Sequence, residues 1–242
     1  GLEMWTSWDQ GEAETVLRVG MDNALLRSVD GSWQLPADRF AFNAGLERRN
    51  DGWFLAVAPL ELARGELRFE LPRLQLHVHG ETLDLRAQGL PLESLSGLVA
   101  GSEALPPGGA DLINALRPRG TLSSLQLDVD DIGTPLAQWQ LQANFDGLAV
   151  DPWHGAPGVT GASGHLRLTP GSGSVVLDTR QFSMAFPTVY EQALEYDDFH
   201  GTIDIHWDDE AVVLSSGLVE AHGEEGPVRV LFGLSVPLVA SQ

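Results

Sequence analysis

The sequence has no cysteine, few basic residues and no long apolar run. Without cysteine there is no disulfide framework and no thiolate metal site, although this alone assigns no compartment. Only 14 Lys and Arg stand against 34 Asp and Glu, for a formal net charge of −20. Nucleic-acid binders neutralise phosphates with cationic side chains, so nucleic acid is excluded as a partner. An anionic bilayer surface repels the chain for the same reason, so contact with lipid has to run through apolar surface. The longest apolar candidate, Val228 to Ala240, is interrupted by Arg229, Gly233 and Pro237. It falls short of the roughly 20 residues a membrane-spanning helix needs. No cationic start followed by an apolar stretch marks a signal peptide. The opening Gly1-Leu2-Glu3-Met4-Trp5 reads as ongoing structure, as expected of a piece of something longer.

Catalytic motifs are missing too. There is no G-x-S-x-G elbow, H-E-x-x-H helix or P-loop. Gly171-Ser172-Gly173 leads into a strand pattern rather than a helix, so it is no phosphate cradle. With 34 acids, some carboxylate pair meets by chance, so a glycosidase-like pair carries little weight. No nucleophile has an obvious base. The chain is read as a non-enzyme with no cofactor.

What the sequence does hold is two-residue alternation. The chain is 43% hydrophobic over 242 residues, enough for one large all-β domain or two modest ones. Trp139, Leu141, Ala143 and Phe145 alternate with Gln138, Gln140, Gln142 and Asn144. Leu125, Leu127 and Val129 alternate with Gln126, Asp128 and Asp130, and Ile203, Ile205 and Trp207 with Thr202, Asp204 and His206. Leu67-Phe69-Leu71, Leu74-Leu76-Val78, Leu83-Leu85-Ala87, Leu166-Leu168 and Val228-Val230-Phe232-Leu234-Val236 behave alike. This is the pattern of antiparallel strands with one apolar and one wet face. His79-Gly80-Glu81, Pro170-Gly171-Ser172-Gly173, Asp208-Asp209-Glu210 and Asp51-Gly52 read as tight turns between them. From Leu90 to Pro118 the apolar residues Leu92, Leu95, Leu98, Val99, Leu112, Ile113 and Leu116 take helical spacing around Pro106-Pro107-Gly108-Gly109. That predicts two short helices near 91–117, laid on the sheet or at its edge. A Gly precedes the alternating runs at Gly65, Gly120, Gly164 and Gly201. Their uneven spacing suits a meander grown by hairpins rather than a propeller or strict solenoid.

One-sided strands leave two readings open. Two apolar faces can close on each other as a β-sandwich scaffold or interaction domain. A single curved antiparallel sheet can instead form an open hydrophobic groove, too apolar to stay empty in water. Acyl chains would fill it at about 0.8 kcal/mol per buried CH₂. The groove lining is then expected from Leu125, Leu127, Val129, Trp139, Leu141, Phe145, Leu166, Leu168, Ile203, Ile205 and Trp207. Seven Trp also leave a glycan-binding envelope protein open. Trp139 and Trp207 fall on apolar faces, whereas Trp153 sits by Pro152 in a loop and suits a rim contact. His77 and His79 share a strand face, and such a pair is read as solvated, with no metal expected. Asp128, Asp130 and Asp131 begin like a Ca²⁺ loop, but its twelfth position is Trp139 where a bidentate Glu is needed. Asp197-Asp198 and Asp208-Asp209-Glu210 read as turn carboxylates.

Several stretches carry a family resemblance. Leu116-Arg117-Pro118-Arg119-Gly120-Thr121-Leu122 resembles the L-x-P-x-G-x-L junction of the large YhdP-type AsmA-like proteins. Phe145-Asp146-Gly147-Leu148-Ala149-Val150-Asp151-Pro152-Trp153 and Pro157-Gly158-Val159-Thr160-Gly161-Ala162-Ser163-Gly164 are similar to that family's next strand pair and turn. Phe186-Pro187, Leu194, Asp197-Asp198-Phe199 and Gly201 to Trp207 continue it. The resemblance implies an internal segment of a long, Gram-negative envelope protein. Its parent would be anchored in the inner membrane and reach across the periplasm. Its repeating β-groove would pass phospholipids towards the outer membrane, with acyl chains and flanking segments of the same chain as partners. Residues 1–242 would then be one soluble β-groove segment: N-terminal strands over 1–89, a helical insertion over 90–118 and C-terminal strands over 119–242.

Overall fold

In a computed structural model of the chain, the described residues are 1–9, 12–27, 34–49, 52–99, 109–134, 138–224 and 226–237. Trp33, Asp51 and the Pro106-Pro107-Gly108 break lie outside them. The strands are β1 (Leu2–Asp9), β2 (Glu12–Arg27), β3 (Gln34–Arg49), β4 (Gly52–Arg64), β5 (Leu67–Leu71), β6 (Arg73–His79) and β7 (Thr82–Pro91). Two short helices follow, α1 (Leu92–Val99) and α2 (Gly109–Leu116). Then come β8 (Arg119–Val129), β9 (Trp139–Val150), β10 (Gly158–Thr169), β11 (Ser172–Ala185) and β12 (Leu194–Trp207). The last are β13 (Ala211–Ser216), β14 (Val219–Gly223), β15 (Gly226–Val230) and β16 (Gly233–Pro237).

All sixteen strands belong to one antiparallel sheet. Its main path runs β1-β2-β3-β4-β6-β7-β8-β9-β10-β11-β12-β13-β16 and does not close on itself. Mainly β structure, an unclosed antiparallel sheet and a few short helices are what the alternation predicts. Three predicted turns, at Gly80-Glu81, Pro170-Gly171 and Asp208 to Glu210, fall between strands, whereas the Asp51-Gly52 turn lies partly outside the described residues. Gly80 and Glu81 form a two-residue loop between His79 and Thr82, with Gly80 at φ 59°. Pro170 and Gly171 join Thr169 to Ser172, with Gly171 at φ 75°. A positive φ at such loop positions favours glycine.

The chain forms two compact units, residues 1–114 with 124–139, and 115–123 with 140–242. In the first, β4 is a forked strand. Its residues Gly52 to Val57 pair with β6, and Leu60 to Arg64 pair with β5. Helix α1 leans on β5, where Ser94 donates to the Arg68 carbonyl at 2.8 Å. Gly97 faces Leu67 there so closely that an added Cβ would lie 2.4 Å from Leu67 Cδ1. The helix therefore sits on the sheet, as its apolar spacing predicts. In the second unit β12 forks in the same way. Its residues Asp198 to His200 pair with β14, and Ile203 to Trp207 pair with β13. Each fork feeds its C-terminal half first, through a short hairpin.

The second unit contains a sealed core of Phe145, Ala162, Leu177, Phe182, Phe199, Val219 and Ala221. Phe182 and Phe199 lie 4.4 Å apart between ring centroids, and Val219 is fully buried. Local backbone irregularities build this core. Along β11 the buried residues are Leu177, Thr179 and then Phe182, so the interval changes from two to three at Gln181, which has φ 55°. β10 carries a register shift between Thr160 and Gly164. The one buried polar side chain there, Thr179, donates to the Gly161 carbonyl at 2.6 Å. Gly201 leaves space for Val219, whose Cγ2 would lie 2.8 Å from an added Cβ. Bulges of this kind re-aim side chains without ending the ladder.

The resemblance motif around Pro118 forms an ionic junction in the same unit. The Asp151 N–H donates to the Leu116 carbonyl at 2.7 Å. Arg119 Nη2 lies 3.0 Å from Asp151 Oδ1, and Arg117 Nη2 is 2.5 Å from Oδ2. Gly120 is at φ 105°, and a Cβ there would lie 2.7 Å from the Gly147 carbonyl oxygen. The hydrogen bond from Arg119, reinforced by the Arg117 charge, holds the Asp151 carboxyl below its ordinary range.

Two outcomes are expected. Phe182→Ala empties the centre of a sealed aromatic core and lowers unfolding stability by about 3–5 kcal/mol in denaturant titration. Asp151→Asn lowers the melting temperature at neutral pH. A depressed pKa contributes stability above the unfolded value, about 4, and loses it as the pH falls through the folded value. The gap between wild type and Asp151→Asn therefore stays constant from pH 7 to about 5 and shrinks in more acid solution, as a pH series of thermal melts will show.

Candidate functional site

Cross-strand register turns alternation into a surface, because directly paired residues of antiparallel strands point to the same side. In the first unit, Leu46 pairs with Leu55, Leu55 with Leu76, and Leu76 with Leu85. This leucine row crosses β3, β4, β6 and β7, and all four residues are half-buried. Beside it, Met4, Leu17, Ala44, Val57, Leu74 and Ala87 form a second row. Trp53, Val78 and Leu83 begin a third. Ala44, Val57 and Ala87 are buried by their larger neighbours. Trp53 stays 45% exposed, with the Arg48 guanidinium 5.1 Å from its ring centroid.

The second unit repeats the arrangement. Ala143, Leu166, Val175 and Ile203 make one row across β9, β10, β11 and β12. Leu141, Leu168, Gly173, Ile205, Leu214 and Leu234 make the next. Gly173 fills its place with no side chain because Leu168 leans over it, 2.3 Å from where a Cβ would stand. Trp207 extends the face beside Val212 and Val236. The opposite face is wet: His165 Nδ1 meets Asn144 Oδ1 at 3.0 Å, and Asp204 pairs with Ser215.

Of the eleven residues expected to line a groove, Leu141, Leu166, Leu168, Ile203, Ile205 and Trp207 share this face and are half-buried. Phe145 belongs to the sealed core at 3% exposure, and Leu166 and Ile203 pack against its margin. Leu125, Leu127 and Trp139 are half-buried and Val129 is buried, on β8 and at the start of β9 in the first unit. The apolar face thus has a sealed stretch and an accessible one. The leucine row of the first unit is absent from the sequence-level set. In β2 and β4 doubled apolar residues, Val16-Leu17 and Trp53-Phe54-Leu55, blur the alternation. Only the register reveals which of them faces inward.

Two acidic groups cap turns. Asp131 accepts from the Thr134 hydroxyl and the Gly133 N–H, both at 2.8 Å, and these bonds lower its pKa. Asp208 accepts from the N–H groups of Ala211 and Glu210, with the same effect. Trp153 stacks on His154 at 4.3 Å and bridges to Ala156. Among the described residues, one group of metal-ligating type occurs: His77, His79 and Asp84 on the wet face of β6 and β7. No helix among them is long and apolar enough to cross a membrane.

A similar protein is the intermembrane phospholipid transporter YhdP of Escherichia coli (strain K12), 25% identical over 224 residues. The match covers 84% of this chain and 17% of that protein, so the chain spans about a sixth of its relative's length. No solved structure matches. A family model described as YhdP protein matches residues 1–225, and the chain belongs to that family.

Proposed function

We propose that residues 1–242 serve as one segment of a longer cell-envelope protein, and that the apolar face of the sheet carries phospholipid acyl chains between the inner and outer membranes. The carrying observation is the half-buried leucine row Leu46–Leu55–Leu76–Leu85, apolar across four paired strands without being sealed. The similarity to an intermembrane phospholipid transporter supports a lipid-transport role at the level of the family. In this reading the face forms a groove. Acyl chains lie along it and the phosphate headgroups stay in water.

The mechanism is passive. Contacts with aliphatic side chains are non-directional and roughly proportional to area. A chain displaced from one leucine row to the next exchanges nearly equal contacts, so sliding meets no large barrier. A net charge of −20 keeps the wet face hydrated and opposes adsorption of the sheet to an anionic bilayer. Lipid entry therefore depends on the apolar face alone. Direction comes from outside the segment, through mass action or an energised partner. No step makes or breaks a covalent bond, so the segment works without catalytic residues.

Two measurements test the proposal. The first compares stability: Leu76→Ala, on a half-buried row, costs about 1–2 kcal/mol in lipid-free protein, well below a sealed-core truncation. A cost of about 4 kcal/mol would mean that the face is closed. The second is organic extraction and phosphate assay of the chain purified from a Gram-negative host, alongside native mass spectrometry. Wild type and the wet-face variant Gln75→Asp carry phospholipid, whereas Leu76→Asp and Leu141→Asp lose at least half of it. Lipid-free wild type, or equal loss in the wet-face variant, refutes the groove.

A further inference from the structure

On the side of the sheet opposite the leucine row, the hairpin β6–β7 brings three ligand-type residues together. His77 and His79 are two apart in β6 and so share a face. The Gly80-Glu81 loop pairs His79 with Thr82 and His77 with Asp84. Asp84 is therefore directly across from one histidine and diagonal to the other. Its Oδ2 lies 3.3 Å from His79 Nε2 and 3.6 Å from His77 Nδ1. One ligand atom from each residue falls within 4.8 Å of the other two. A four-coordinate Zn²⁺ with bonds of about 2.0–2.2 Å sets its ligand atoms about 3.3 Å apart. The observed separations are already near that edge length.

The surroundings also match a ligand set. The Thr82 hydroxyl donates to the His79 carbonyl at 2.9 Å and lies beside the His79 ring, 2.7 Å from Nε2 and 3.0 Å from Nδ1. His77 meets Phe54 edge to face at 6.3 Å between centroids and lies tilted against His79 at 4.7 Å. Its Nε2 is buried without a hydrogen-bond partner. A recess of about 150 Å³, lined by Phe54, Gln75, His77, Asp84 and Arg86, leaves room for water to complete a coordination shell. The cationic group beside it is Arg86, which is exposed.

We propose that His77, His79 and Asp84 bind a divalent transition metal of the zinc class, clipping the β6–β7 hairpin on the face turned away from lipid. Two imidazoles and one carboxylate suit Zn²⁺, Ni²⁺ or Cu²⁺ better than Ca²⁺, which takes six to eight oxygens. The site is independent of the lipid reading, since its side chains lie on the wet face.

The test uses the 242-residue chain stripped with a chelator and titrated with ZnCl₂ by calorimetry in a non-coordinating buffer. One saturable equivalent is expected. His79→Gln and Asp84→Asn each weaken it at least about tenfold. His206→Gln, on the wet face of β12, leaves it unchanged. In wild type, Co²⁺ broadens the ring proton resonances of His77 and His79 ahead of those of the other five histidines, a readout needing no substitution. Melting of the stripped variants checks that each is folded. The proposal falls if wild type shows no saturable equivalent, or if all variants bind equally, as scattered surface carboxylates would. It also falls if Co²⁺ broadens all seven histidines alike.

Discussion

Cross-strand register is the constraint on which this molecule depends. A strand's side chains alternate with a period of two, so a slip of one residue moves every apolar group to the opposite face. Leu76 faces Leu55 and Leu85 only because β6 pairs with β4 and β7 in one register. The same register places His77 opposite Asp84 on the other side. Hairpin loops of two residues, with glycine at Gly80 and Gly171, hold these registers. The apolar face and the histidine–carboxylate cluster are thus two consequences of one set of backbone hydrogen bonds.

A sheet with an accessible apolar face has a cost that a sandwich avoids. In a sandwich the inner faces bury each other about 10 Å apart. Here every strand belongs to one sheet, and the leucine row stays half-buried. The second unit offsets part of that cost with a local core in which Phe182, Phe199 and Val219 close over Gly201. It forms where the ladder is irregular, at Gln181, between Thr160 and Gly164, and where β14 replaces β13 beside β12. Regular ladder keeps the face even and accessible. Irregular ladder folds side chains over it and anchors the unit.

Charge is arranged around the same geometry. Some acidic groups serve turns and junctions, where Asp131 and Asp208 cap loops and Asp151 ties Arg117 and Arg119 together, while Glu3, Glu61 and Glu220 pair with arginines on neighbouring strands. These contacts draw on carboxylates already needed for solubility, and they explain why an acidic sequence shows no acidic motif. The Pro118 stretch, read first as a family likeness, turns out to be a junction in which side-chain ions and the Asp151–Leu116 backbone bond coincide.

The sequence by itself determined what depends on neighbours one, two or four residues apart. It gave strands from clean alternation at Leu125 to Val129 and Ile203 to Trp207, turns from Gly80 and Pro170-Gly171, and short helices after Leu90. The wet and apolar faces of single strands were legible for the same reason. Tertiary structure alone decided which strands meet, because pairing partners lie tens of residues apart and no local pattern encodes their offset. It put Phe145 into a sealed core while leaving Leu141 and Ile205 half-open. It also recovered Leu55 from a run too apolar to phase, paired it with Leu46, and carried Asp84 to two histidines that, read alone, looked merely solvated.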